Sequence, residues 1–277
     1  MDCWVFELHN GFKAGYKISD ILYNEKSKYQ RIFIAETESH GKILLLDNIV
    51  MLTERMEFIY HEIISHIPLF VHPNPEKVLI IGGGDGGTLR EALKHSTIKK
   101  IDLVEIDEKV IEASKKYLKS LSIDFENPKA NIIITDGIEF VKNKTAQYDV
   151  IIIDSSDPIG PAEGLFTEEF YKNCFNILTS DGILMAQAES PFYMEEYFKK
   201  FFKILEKLFP ITKPALACVP DYPYALWGFI FASKKYNPIT DFDPERYKNS
   251  GIFTKYYNEK IHISSFTLPN FVREMLK

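Results

Sequence analysis

From Lys77 to Leu208 short apolar runs alternate with helical stretches, and no other feature narrows the fold of this chain as much. Strands are expected at 78–81, 101–106, 131–135, 149–153 and 183–188, and helices at 88–94, 108–118, 138–142, 168–178 and 194–208. Such alternation implies a parallel sheet covered by helices on both faces, the doubly wound α/β architecture. Two later runs, 216–219 and 227–233, are joined too closely for a helical crossover, so they are expected to add an antiparallel edge.

Residues 1–55 read differently. Apolar or alternating runs at 3–8, 31–36 and 42–46, with turn signals at Asn10-Gly11 and His40-Gly41, point to a small β-domain. It is too small to fold securely alone, so it is expected to be appended to the larger domain, 56–277. Ile59, Ile63 and Ile67 recur every four residues, which predicts a helix over 56–67 that stops at Pro68. The segment 71–75, with Pro73 and Pro75, reads as a stiff linker.

Charge and composition narrow the partners. With 33 Lys and Arg against 39 Asp and Glu, a net of −6, and no basic cluster, a nucleic-acid surface is not expected. A mildly acidic protein can instead concentrate a cationic small molecule. The apolar runs fall far short of the roughly 20 residues that span a bilayer. Asp2, Glu7 and His9 break up the N-terminal apolar residues, against a secretory signal. Three cysteines without Cys-x-x-Cys spacing argue against a disulfide framework and a zinc site, and the expected address is the cytoplasm.

The chemistry-bearing motifs follow the strands. Gly82-Gly83-Gly84-Asp85-Gly86-Gly87 lies directly after the first of them, where backbone turning sharply before a helix lets a nucleotide approach closely. Glu105 closes the second strand 20 residues beyond Asp85, the place of a carboxylate that grips ribose hydroxyls. A carboxylate within the loop disfavours an anionic ligand there, whether a pyrophosphate or a carboxylated tail, and suits an adenosine with a cationic tail. The plainer reading is that Asp85 caps the following helix. Asp136-Gly137, after the third strand, could accept from an adenine amino group or be an ordinary turn.

The fourth strand ends in Asp154-Ser155-Ser156-Asp157-Pro158, two acids beyond the carboxyl end of a parallel sheet, where open α/β folds bind ligands. The Gly/Pro-rich stretch 159–164 could cover a pocket. An amine nucleophile is protonated at neutral pH and has no lone pair until a base takes its proton, a task suited to one of these carboxylates.

Together these motifs, with Gly160-Pro161-Ala162 and Leu165-Phe166, strongly resemble the polyamine aminopropyltransferase family, and the resemblance extends over nearly the whole chain, through Tyr29-Gln30, Tyr60-His61-Glu62 and Tyr222-Pro223. It implies a Rossmann-like, methyltransferase-type sheet preceded by a small β-domain, and transfer of the aminopropyl group of decarboxylated S-adenosylmethionine to a diamine, putrescine by default. The other product is methylthioadenosine. It further implies Asp154 as general base, Ser155 and Asp157 beside it on the polyamine, and Asp85 on the aminopropyl ammonium. Glu105 would hold the ribose, Asp136 and Gly137 the adenine, Gln30 the nucleoside, and Pro161 would pack on the base. Tyr60, His61 and Tyr222 would line the amine channel. Neither a prosthetic group nor a metal is called for, and a homo-oligomer, dimer or tetramer, is implied. Asp221 and Tyr224 depart from the pattern, which leaves agmatine, cadaverine and spermidine open as acceptors. The rival readings are an S-adenosylmethionine methyltransferase on the same fold, which Asp85 disfavours, and a non-enzymatic polyamine-binding protein.

Overall fold

The computed structural model describes residues 3–9, 12–142, 144–157 and 160–277, with backbone alone for His9, Phe12, Gly160 and Pro161. Two sheets organise it. The first is antiparallel and runs in chain order: β1 (Cys3–His9), β2 (Phe12–Lys26), β3 (Arg31–Thr37), β4 (Gly41–Leu46) and β5 (Ile49–Thr53). The expected turn at Asn10-Gly11 lies outside the described residues. Gly41 opens β4 with φ +69°, at the turn its signal predicts. The length of β2 and the existence of β5 are not apparent in the sequence. The first carries charged and polar residues along both edges, and the second follows Asp47 and Asn48, whose positive φ closes a tight turn.

After α1 (Phe58–Val71) the alternation begins: β6 (Lys77–Gly82), α2 (Gly87–Leu93), β7 (Lys100–Glu105), α3 (Glu108–Tyr117), α4 (Lys119–Ser122), β8 (Ala130–Ile134), α5 (Gly137–Val141), β9 (Tyr148–Asp154), α6 (Glu168–Ile177), β10 (Leu178–Gln187) and α7 (Glu195–Leu208). The strands β11 (Ile211–Cys218) and β12 (Leu226–Ser233) complete a seven-stranded sheet of order β11-β12-β10-β9-β6-β7-β8. Its central strands are parallel, and β12 pairs antiparallel with both β10 and β11, the expected edge. Three short helices, α8 (Pro244–Lys248), α9 (Glu259–Ser265) and α10 (Asn270–Met275), follow without a counterpart in the sequence reading.

Side-chain alternation along the buried strands feeds two cores. Val78, Ile80, Val150 and Ile152 pack with α1 and α2, whereas Leu79, Ile81, Ile151 and Ile153 pack with α6 and α7. Pro68 does not end α1, which continues to Val71 with Pro68 inside it. The helix is buried from Ile59 through Val71, and that packing outweighs the one backbone bond a proline removes. The first sheet is not free-standing either: Ile32 and Ile34 lie in one core with Val110, Ala113, Leu118 and Leu121.

Candidate active site

Strand order reverses at β6, whose neighbours are β7 on one side and β9 on the other. Parallel pairing sets Gly82 beside Asp154, which brings the glycine loop and the acidic loop to one crevice. Only glycine fits at position 82. Its φ is +84°, and a Cβ there would lie 2.0 Å from the Asp154 carbonyl oxygen.

The crevice opens into a cavity lined by Gln30, Tyr60, His61, Asp85, Glu105, Asp136, Gly137, Asp154, Ser155 and Tyr222 among others. Every expected site residue with a described side chain lines it except Asp157, which lines an adjoining cavity. The side chain of Pro161 lies outside the description; the backbone there belongs to a 3-10 helix, Gly160–Phe166.

Glu105 is 9% exposed and accepts from the Asp107 N–H at 2.9 Å. Burial pushes its carboxyl up to about 7, partly countered by the Asp107 and Ile106 N–H groups. Gly84 passes so close that a Cβ would lie 2.9 Å from Glu105 Oε2. Asp136 accepts from the Ile138 N–H at 2.8 Å and caps α5, so its turn and cavity readings hold together. Gln30 reaches the cavity from the first sheet and donates to Asp107 Oδ2 at 3.1 Å.

Asp154 is at the centre. Tyr60 OH donates to its Oδ1 at 2.8 Å and Thr88 Oγ1 to its Oδ2 at 2.6 Å. Burial and then the nearby Asp85 raise its carboxyl, while His61, Thr88 and Tyr60 pull it down. Asp85 accepts from the Gly87 N–H at 2.7 Å and faces His61 Nε2 at 3.3 Å, both through Oδ1. Asp85 thus satisfies the first N–H of α2 from just before its N-cap, Gly86, and still lines the cavity. Burial works against its charge, but His61 and the Gly87 N–H outweigh it and hold it below the usual carboxylate range. His61, Asp85 and Asp154 bring ligand atoms within 4.8 Å of one another, the geometry of a cation site. His61, however, engages Glu57 through Nδ1 at 2.6 Å and Asp85 through Nε2, which leaves no nitrogen lone pair aimed at an ion.

The adjoining cavity, about 410 Å³, shares Tyr60, Tyr222 and Ser155 with the first and adds Glu7, Asp157, Gln187, Glu189, Tyr193 and Trp227. Glu189 is 1% exposed, accepts from Gln187 Nε2 at 3.1 Å through Oε1, and has no partner for Oε2 among the described residues. Burial, reinforced by Asp157, holds its carboxyl well above the usual range. Three acids among aromatic rings in a dry recess are suited to an organic cation. Glu7, Gln187, Glu189 and Trp227 escaped the sequence reading. The usable signal was Glu189 beyond the carboxyl end of β10, the same sheet edge as Asp154.

Asp221 lies outside both cavities. It is buried and accepts from the Thr53 N–H at 2.9 Å and from the Thr53 hydroxyl at 2.8 Å, tying the late loop to β5. Tyr224 is half exposed beside Tyr193. Neither departure from the expected pattern lines either cavity. Tyr222 lines both, its OH donating to the Met51 carbonyl at 2.8 Å.

Comparison with known proteins gives three findings. Residues 57–244 match the spermine/spermidine synthase domain, and residues 3–54 match the spermidine synthase tetramerisation domain. The chain is 50% identical over 279 residues to a polyamine aminopropyltransferase of Methanocaldococcus jannaschii, covering 99% of this chain and 95% of that one. It is 49% identical over 276 residues to the corresponding protein of Thermotoga petrophila, covering 99% and 93%. A crystal structure of spermidine synthase in complex with the transition state analogue AdoDATO superposes with a TM-score of 0.97 at 48% identity, covering 99% of this chain and 94% of that one.

Proposed function

The chain belongs to the spermine/spermidine synthase family, and on that footing we propose that it transfers the aminopropyl group of decarboxylated S-adenosylmethionine to putrescine, giving spermidine and methylthioadenosine. The observation that carries this reading is the pairing of Gly82 with Asp154, which sets a carboxylate base against the glycine loop at the rim of a nucleoside-sized cavity. Glu105 holds the ribose hydroxyls, Asp136 and Gly137 the adenine edge, with Gln30 reaching in from the first sheet. Asp85 pairs the ammonium of the aminopropyl tail.

The amine enters from the second cavity, its methylenes between Tyr60, Tyr222 and Trp227 and its distal ammonium toward Asp157 and Glu189. Asp154 takes a proton from the entering ammonium, and the freed nitrogen lone pair attacks the methylene carbon bonded to the sulfonium. The C–S bond breaks, its electron pair stays on sulfur as the thioether of methylthioadenosine, and the new secondary amine carries the positive charge as an ammonium. A sulfonium is already a good leaving group, so the protein supplies orientation and a base. The residues Trp4, Phe6 and Leu8 alternate along β1 and are exposed, an apolar stripe suited to association with further copies of the chain.

The test is product analysis with decarboxylated S-adenosylmethionine and putrescine. Asp154→Asn should keep the fold and nucleoside binding and lower turnover by roughly two to four orders of magnitude. Near-normal turnover of that variant at neutral pH with saturating amine would refute the base, and absence of spermidine from the native protein would refute the reaction.

A further inference from the structure

Glu57 and Arg90 stand outside the two cavities, yet they fix a side chain that lines the first. Arg90 clasps Glu57 with both guanidinium nitrogens, NH1 to Oε1 at 3.0 Å and NH2 to Oε2 at 2.8 Å. Glu57 Oε2 in turn lies 2.6 Å from His61 Nδ1, and His61 Nε2 points at Asp85. The imidazole is clamped as well, since a Cβ on Gly87 would lie 2.4 Å from its Cε1. Glu57 and His61 are buried, 6% and 3% exposed, while Asp85 and Arg90 on either side of them are partly buried.

We propose that Glu57, braced by Arg90, is a positioning residue that holds His61 as an imidazolium between Asp85 and Asp154, and so lets two neighbouring carboxylates stay ionised for ammonium binding and proton acceptance. The inference rests on Asp154 as the base. Two carboxylates that share a dry site cannot both ionise without a cation between them. The groups facing His61 are Glu57 before α1, Tyr60 on α1, Asp85 from the glycine loop and Asp154 from β9, with Arg90 on α2 behind Glu57. Burial opposes the charge on His61, but Asp85 and Glu57 outweigh it and raise its pKa well above the ordinary histidine value. Removing the charge on Glu57 takes away one of the two carboxylates in contact with the ring nitrogens and allows His61 to go neutral. Asp154 then holds its proton to higher pH and is lost as a base.

Nitrogen-15 spectra of histidine-labelled protein test this, with the His61 resonance assigned from His61→Gln. In the native protein the His61 ring should still be imidazolium at about pH 8, well above the unperturbed range. In Glu57→Gln it should be neutral there, turnover at about pH 7.5 should fall at least about tenfold, and the acid limb of the kcat profile should move to higher pH. Glu57→Asp, which keeps the charge, should recover much of both. A neutral His61 in the native protein at about pH 7.5 overturns the proposal, and that measurement decides even where Glu57→Gln fails to fold. Glu57→Gln with an unchanged ring signal and pH profile also overturns it. An imidazolium that disappears in Glu57→Gln, with no aminopropyl product from any variant, supports the charge arrangement and refutes the reaction.

Discussion

Asp221→Ala separates a structural carboxylate from an acceptor-choosing one. The side chain is 5% exposed and receives two hydrogen bonds from Thr53, itself fully buried, one from its N–H and one from its hydroxyl. Alanine strips both donors of their acceptor where water does not reach. Each buried group left unpaired costs about 1–3 kcal/mol, so Asp221→Ala should lower stability by about 2–5 kcal/mol. Asp221→Asn behaves differently. Its amide oxygen can accept from the Thr53 N–H and its NH2 can donate to the hydroxyl, and the change should stay within about 1 kcal/mol. The pH dependence has a definite sign. Burial raises the Asp221 carboxyl above its unfolded value. The folded chain thus favours the protonated acid, and that contribution to stability is present at low pH and lost as pH rises through the folded pKa. Asp221→Asn should therefore gain on the native protein as pH rises above the unfolded value of about 4. The assay is urea unfolding at fixed protein concentration, run beside kcat/KM for putrescine and for spermidine. Both variants should keep the ratio of the two amines within about threefold. An Asp221→Ala cost below about 0.5 kcal/mol, or a ratio shifted more than about tenfold, would return Asp221 to the amine channel.

The other predictions concern the two cavities. Glu105, raised to about 7, is half protonated in the free protein near neutrality, and ribose hydroxyls donating to it favour the ionised form. Nucleoside binding at about pH 6.5 should release up to about three-quarters of a proton and weaken towards tenfold per unit at lower pH; titration enthalpies that do not vary with buffer would contradict this. Asp85→Asn should narrow a preference for decarboxylated over intact S-adenosylmethionine, measured as a calorimetric affinity ratio; a native protein that binds the carboxylated form equally well removes the charge argument. Glu189→Gln should lower kcat/KM for putrescine by roughly 10- to 100-fold with nucleoside affinity unchanged, and an unaltered amine kcat/KM would take Glu189 out of the acceptor site.

The two central motifs were legible in sequence because their meaning is local. A glycine loop between a strand and a helix can turn in few ways, and an acid at the end of a parallel strand stands at the ligand-binding edge whatever surrounds it. Glu105 and Asp154 could be placed at that edge for this reason, and the strict alternation over 77–208 carried the sheet with it. What a carboxylate does, by contrast, depends on which distant groups face it and on how much water they exclude. Asp221 and Glu189 look alike in sequence, yet one is tied to Thr53 on β5 and the other closes a recess with Glu7 from β1 and Trp227 from β12. His61 is held by Glu57, one helical turn away, and by Asp85, which belongs to another loop. Pro68 stays inside α1 because the helix is buried on all sides, a condition no local pattern reveals. Period and turn chemistry act over a few residues and are written in the chain, whereas burial and charge pairing join residues far apart in it and exist only once it has folded.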